Sequence, residues 1–179
     1  PYLDGSLSIS RASRTFPQYL IFKPAMIITA IMLYYYWLNN NNLLNKFKST
    51  KINYKFKTFG ILSAIFLAVH SIFLGIKFDI QIYKLMRRVV LLSFIIFEII
   101  AQGILVYHFF KIKNKISEFI NKKILILKII LVSILAAVAI LSLPMLLDKG
   151  NTHFKHALEW NYFVGVILFY LFSRLFWRG

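Results

Sequence analysis

Five long apolar runs alternate along the chain with short polar segments in which lysine and arginine dominate. The runs cover 16–37, 58–76, 89–110, 124–147 and 157–177, and each approaches or exceeds the roughly 20 residues that carry a helix across a bilayer. The pattern predicts an all-α fold, a polytopic transmembrane helix bundle forming one domain over 1–179 with five spans visible. The third run, VVLLSFIIFEIIAQGILVYHFF, organises the reading. It holds Glu98 near its middle and Gln102 one helical turn on, on the same face. A carboxylate at that depth is costly against lipid, so both side chains should point into the bundle, with Glu98 neutral or paired and in reach of a polar group from another span. His70, Ser133 and Ser142 are the partners expected.

Boundaries follow from the same pattern. Pro24 is expected in a first helical turn, where a missing N–H does no harm. Tyr34, Tyr35, Tyr36 and Trp37 read as an interfacial aromatic belt. Asn39–Asn42 reads as loop, and Lys77–Arg88 as a connection able to lie flat on the membrane. Pro144 should kink or fray the last turn of its helix. Lys23, Lys128 and Arg174 should snorkel towards the interfaces. Residues 1–15, rich in Ser, Asp and Gly, read as a loop folded over the outer mouth of the bundle, with Asp4 hydrogen-bonded to backbone or to a basic residue.

Composition sharpens the class. The chain is 59% hydrophobic with a mean hydropathy of +0.69, too apolar for an ordinary soluble domain. The net charge of +16 sits almost entirely between the apolar runs, which points to lipid phosphates and not to nucleic acid. Twelve of the Lys and Arg residues fall on the side of loops 38–57, 111–123 and the C-terminus, and nine on the other. That bias predicts an integral membrane protein whose chain starts outside and ends in the cytoplasm. The absence of cysteine removes disulfides and thiolate chemistry.

Candidate chemistry is sparse. On this topology His70 lies about 9 Å and Glu98 about 13 Å below the outer face. Glu159 and His156 stand at the outer entrance of the last span. These four, with Gln102, could line one outward cavity and are the candidate catalytic residues. Arg87 and Arg88 could grip a lipid phosphate or simply mark the interface. No HExxH, no His pair at i, i+4, no GxSxG and no phosphate-binding glycine loop occurs, so no metal site and no cofactor are expected.

Three stretches together resemble the Frag/DRAM/Sfk family of membrane proteins. The opening PYLDGSLSIS…FPQYLIF is similar to that family's first extramembrane loop. FGILSAIFLAVHSIFLG is similar to a middle span, and HALEWNYFVGVILFYLFSRLFW to the last, with its Glu-aromatic entry. The resemblance implies six spans, the first preceding Pro1, and gives Asp4, Gly5, Ser8, Ser10 and Glu159 the family's characteristic positions. It also implies lipid-related work, since members include GPI-anchor lipid-remodelling factors, autophagy modulators and regulators of phospholipid distribution. The function expected is therefore a lipid-interacting membrane protein, in lipid remodelling or homeostasis, without a commitment to catalysis. Membrane lipids are the expected partners, with room for a membrane-protein partner or a second copy. An intramembrane lipid hydrolase or acyl-transfer enzyme using Glu98 and His70 is the alternative, and a small transporter or channel subunit a second one.

Overall fold

The computed structural model describes residues 3–9, 13, 16–47, 54–74, 81–147 and 150–177. Five α-helices follow one another: α1 Gln18–Lys46, α2 Lys55–Phe73, α3 Gln81–Ile112, α4 Lys122–Leu147 and α5 Thr152–Phe176. Among the described residues the only β feature is an isolated bridge between Ile120 and Trp177. The protein is all-α and a membrane protein: the four segments Gln18–Lys46, Lys55–Phe73, Leu85–Ile112 and Lys122–Ser142 are long and apolar enough to cross a bilayer. α5 is a continuous helix of 25 residues, but Lys155, Glu159, Asn161 and Arg174 dilute it and it falls outside that set.

Three boundaries differ from the sequence pattern. Asn39–Asn42 is helix, not loop, because α1 runs on to Lys46. Asn40 Nδ2 donates to Tyr36 O at 2.9 Å, and Asn41 Oδ1 accepts the Tyr54 N–H at 3.2 Å. These amides are therefore consumed inside the fold. Gln81–Arg88 does not form a separate surface element but the first turns of α3. Tyr83 Oη donates to Phe73 O at 2.8 Å, which ties these turns to the end of α2. Lys77–Ile80 lie outside the described residues. Pro24 lies inside α1, six residues past its start, and so removes a backbone hydrogen bond within the helix. Pro144 likewise lies within α4, which ends three residues later.

The chain divides into two compact units, one of residues 12–102 and one of residues 1–11 with 103–179, so the boundary falls inside α3. In the first, α1 buries Ala30, Leu33, Trp37 and Leu44, and α2 buries Phe56, Gly60, Ser63, Ala64 and Leu67. Both series keep to intervals of three, four or seven, with Ala64 beside Ser63, which is one face of a helix. Lipid is as apolar as leucine, so close packing and internal hydrogen bonds hold such helices together more than apolar burial does. Gly60 shows this directly. A Cβ there would fall inside the Trp37 indole, which is fully buried against it. Lys23 Nζ donates to Ile72 O at 3.3 Å, satisfying a carbonyl in the last turn of α2.

In the second unit α5 turns Leu158, Tyr162, Gly165, Phe169 and Phe176 inward. Gly165 sits under Leu135 of α4, whose Cδ2 would lie 2.6 Å from an added Cβ. Tyr162 Oη donates to Leu135 O at 3.1 Å beside it. At the other end of this helix pair Asn121 N donates to Phe176 O at 2.8 Å, tying the start of α4 to the end of α5.

Candidate functional site

Two buried polar clusters stand out, one in each unit. The first is built on α2 and α3. Ser63 follows Gly60 by one turn, and the close approach that Gly60 allows leaves its side chain fully buried. Glu98 and Gln102 occupy successive turns of α3 and are also fully buried. Ser63 Oγ is 2.6 Å from Glu98 Oε2 and 2.8 Å from Gly60 O, and Gln102 Nε2 donates to Glu98 Oε1 at 2.9 Å. Phe97 stacks between Phe59 and Phe66 of α2, with ring centroids 5.9 Å and 5.5 Å away, and fixes the register.

A polar group that reaches Glu98 from another helix is Ser63, which was not among the expected partners. The reason lies in the start of α3. It begins at Gln81, not Val89, so Glu98 is seventeen residues in, roughly 25 Å along the helix. His70 is buried on the same helix as Ser63, two turns nearer the α2 C-terminus and roughly 10 Å further along its axis.

Proton counting defines the chemistry of this cluster. A serine hydroxyl has one hydrogen to donate. With a neutral Glu98, its O–H donates to Ser63 Oγ, Ser63 donates on to Gly60 O, and Gln102 donates to the remaining oxygen. All three short contacts are then satisfied. With a carboxylate, Ser63 shares its one hydrogen between Glu98 Oε2 and Gly60 O. The neutral acid satisfies each contact with its own hydrogen, and it can lend a proton and take it back.

The second cluster lies between α4 and α5. Lys128 is 1% exposed, and Nζ donates to Ser173 Oγ at 2.7 Å. Ser173 in turn donates to Phe169 O at 2.9 Å. Nζ also stands 4.0 Å from the centroid of the Phe169 ring and 5.5 Å from that of Phe176, so two π faces meet the amine. Lys128 was expected to snorkel towards the interface; it is buried instead, with Ser173 and the two rings around its amine.

The remaining candidates fall elsewhere. His156 and Glu159 are half-buried on α5, in the unit that does not contain His70, Glu98 and Gln102. His156 Nδ1 is 3.0 Å from Gly5 O, and Trp160 Nε1 donates to Leu7 O at 2.8 Å. The N-terminal segment therefore lies along the first turns of α5. Gly5 takes a φ of +60°, and an added Cβ would strike the His153 backbone. Asp4 Oδ1 accepts the Ser6 N–H at 3.1 Å, and Ser8 is buried, while Ser10 lies outside the described residues. Arg87 places its guanidinium 5.9 Å from the Tyr83 ring centroid, and Arg88 is exposed. Among the described residues no three His, Cys, Asp or Glu side chains gather as a metal site. No family model, no curated protein and no solved structure matches this chain.

Proposed function

We propose that this is a lipid-interacting membrane protein of Frag/DRAM/Sfk type, acting in lipid remodelling or membrane lipid homeostasis, with α5 as a further span, an external chain start and a cytoplasmic C-terminus. The observation that supports it is the meeting of two of the stretches that carry the resemblance. The Asp4-Gly5-Ser8 loop and the His156–Trp160 entry of the last helix stand at opposite ends of the sequence, yet they are joined by the Gly5 and Leu7 carbonyls. A shared extramembrane feature is expected to be built from parts that touch. Membrane lipids are the partners on this reading. The test is quantitative lipid analysis of membranes from cells with and without the gene, together with mass spectrometry of lipids retained by the purified protein. A shift in phospholipid or acyl-chain distribution supports the reading; unchanged lipids in both measurements overturn it.

A second reading is an intramembrane hydrolase or acyl-transfer enzyme working through Glu98. It draws on the 2.6 Å contact between Ser63 and Glu98, which sets a hydroxyl beside a carboxyl group that, once it has given up its own proton, can act as base towards it. Lipid hydrolysis that disappears in both Ser63→Ala and Glu98→Gln, with folding intact, favours it over the first. Activity surviving Ser63→Ala excludes Ser63 as nucleophile.

A further inference from the structure

Residues 111–123 join two helices that are each long and apolar enough to cross a bilayer, α3 ending at Ile112 and α4 beginning at Lys122. A segment between two consecutive spans lies on one face of the membrane, and its flanks stand where the hydrocarbon ends and the headgroups begin. This level follows from the ends of the spans, whichever face is cytoplasmic. The segment holds five lysines, Lys111, Lys113, Lys115, Lys122 and Lys123, against one carboxylate, Glu118. Lys113 is half-buried and the other four lysines are exposed. None of the five forms an ion pair among the described residues.

The backbone that carries them is fixed. Ile116 and Ile120 are fully buried, and Phe119 N donates to Ile116 O at 3.0 Å. Asn121 N donates to Phe176 O at 2.8 Å, and Ile120 bridges to Trp177. The charge is therefore displayed on a folded platform, with the exposed Phe119 ring in its midst. Two lysines show which way that charge faces. Lys111 Nζ lies 4.7 Å from the centroid of the Tyr107 ring, one turn back along α3, and Lys113 Nζ 3.8 Å from that of Phe110. Both rings are exposed on the outside of a span, where lipid is the neighbour. The amines are thus folded back towards the edge of the bilayer instead of reaching out into water. A lipid phosphate at that edge is the counter-charge within their reach.

We propose that residues 107–123 form a binding surface for the headgroups of anionic phospholipids. Lys111 and Lys113 meet the phosphate at the lipid-facing edge of α3, Lys115, Lys122 and Lys123 add to the positive field, and Phe119 lies in the interface. A zwitterionic headgroup carries its own ammonium group, which cancels the attraction, so the surface selects by net charge. The proposal rests on the lipid-interacting reading and names the lipid class and the place that reading leaves open. A change in cellular lipids without selective binding overturns this surface alone, and selective binding without any cellular change overturns the functional reading alone.

The experiment reconstitutes the full chain in phosphatidylcholine vesicles that carry a small fraction of phosphatidylglycerol or phosphatidylcholine with a photoactivatable headgroup. Mass spectrometry of the peptides then maps the label. Phosphatidylglycerol is expected to label 107–123 several-fold more than phosphatidylcholine. Changing Lys111, Lys113 and Lys115 together to Gln is expected to remove most of that difference, while Arg88→Gln, at an exposed cation of α3 outside the segment, keeps it. Should the triple variant fail to fold, the pair Lys122→Gln and Lys123→Gln carries the test. Equal labelling by the two lipids in the wild-type protein, or an undiminished difference in the folded lysine variants, overturns the proposal. A heparin oligosaccharide or inorganic phosphate that removes the label at the concentration of the lipid assigns the surface to a soluble anion and likewise overturns it.

Discussion

Ser63 of α2 and Glu98 of α3 stand 2.6 Å apart with no solvent reaching either side chain. Ser63 Oγ is also close to the Gly60 carbonyl of its own helix, and Gln102 closes the other side of the carboxyl group. The contact joins a helix-packing feature to a proton-bearing one. Gly60 admits the Trp37 ring on the α1 side, and Ser63, one turn on, faces Glu98.

The first prediction follows from the proton count. Glu98→Gln offers an N–H where the acid offered an O–H, and a carbonyl where Gln102 donates. The purified variant is expected to unfold within about 1 kcal/mol of wild type, since the hydrogen bonds are kept. Glu98→Leu strips the Gln102 amide of its acceptor in a buried site and is expected to cost about 1–3 kcal/mol. Reversible chemical denaturation in micelles measures both. Equal losses for Gln and Leu point instead to an ionised Glu98 and overturn the neutral-acid arrangement.

Two glycines separate hard from soft packing. A Cβ at Gly60 collides with the rigid indole of Trp37, whereas one at Gly165 meets the end of the flexible Leu135 side chain at 2.6 Å. Gly60→Ala is expected to destabilise by about 1–3 kcal/mol, the usual range for overpacking, and Gly165→Ala by distinctly less. Trp37→Leu in the Gly60→Ala background should recover part of the loss, a coupling that a double-mutant cycle reads directly. Additive effects of the two changes would place the damage somewhere other than this contact.

The orientation prediction concerns α4, which the composition marks as a span. A reporter inserted after Lys115 should read cytoplasmic, and one after Asn151 external. The reasoning is the excess of lysine in the 111–123 segment. Both reporters on one side would remove α4 from the membrane and end the topology proposed above.

The helices were legible in the sequence because hydropathy and length report them directly, and Glu98 with Gln102 was legible because lipid makes a mid-span carboxylate conspicuous. The partners were not. Ser63 is one of several serines in apolar runs, and choosing it required the true start of α3, which hydropathy placed eight residues late because Gln81–Arg88 mixes polar with apolar residues. Asn41 was hidden for a related reason. A run of four asparagines reads as loop by propensity, yet Asn40 and Asn41 are buried, Asn40 bonded to Tyr36 O and Asn41 to the N–H of Tyr54 at the N-cap of α2, and this outweighs that preference. For Lys128 the rule of snorkelling gave the direction of the side chain, and only three-dimensional placement of Ser173 and Phe169 showed where its amine stops.

The last prediction tests the docking of the N-terminal segment on α5. Gly5 satisfies two demands at once. Its φ of +60° costs an L-residue about 1–2 kcal/mol, and its missing Cβ leaves room for the His153 backbone. Gly5→Ala fails on both counts, so the segment is expected to leave α5, breaking the His156–Gly5 and Trp160–Leu7 hydrogen bonds together. Trp160→Phe keeps the ring but removes the N–H, and should weaken docking by about 1 kcal/mol without abolishing it. Limited proteolysis of the purified protein reports both, through cleavage within 3–9. The expected order is rapid cleavage in Gly5→Ala, intermediate in Trp160→Phe and slow in wild type. Far-ultraviolet circular dichroism should stay constant across all three, because the five helices do not depend on this segment for their own backbone hydrogen bonds. Cleavage of Gly5→Ala at the wild-type rate would show that the segment is held by something other than the Gly5 and Leu7 carbonyls. It would also remove the observation on which the lipid-related reading rests.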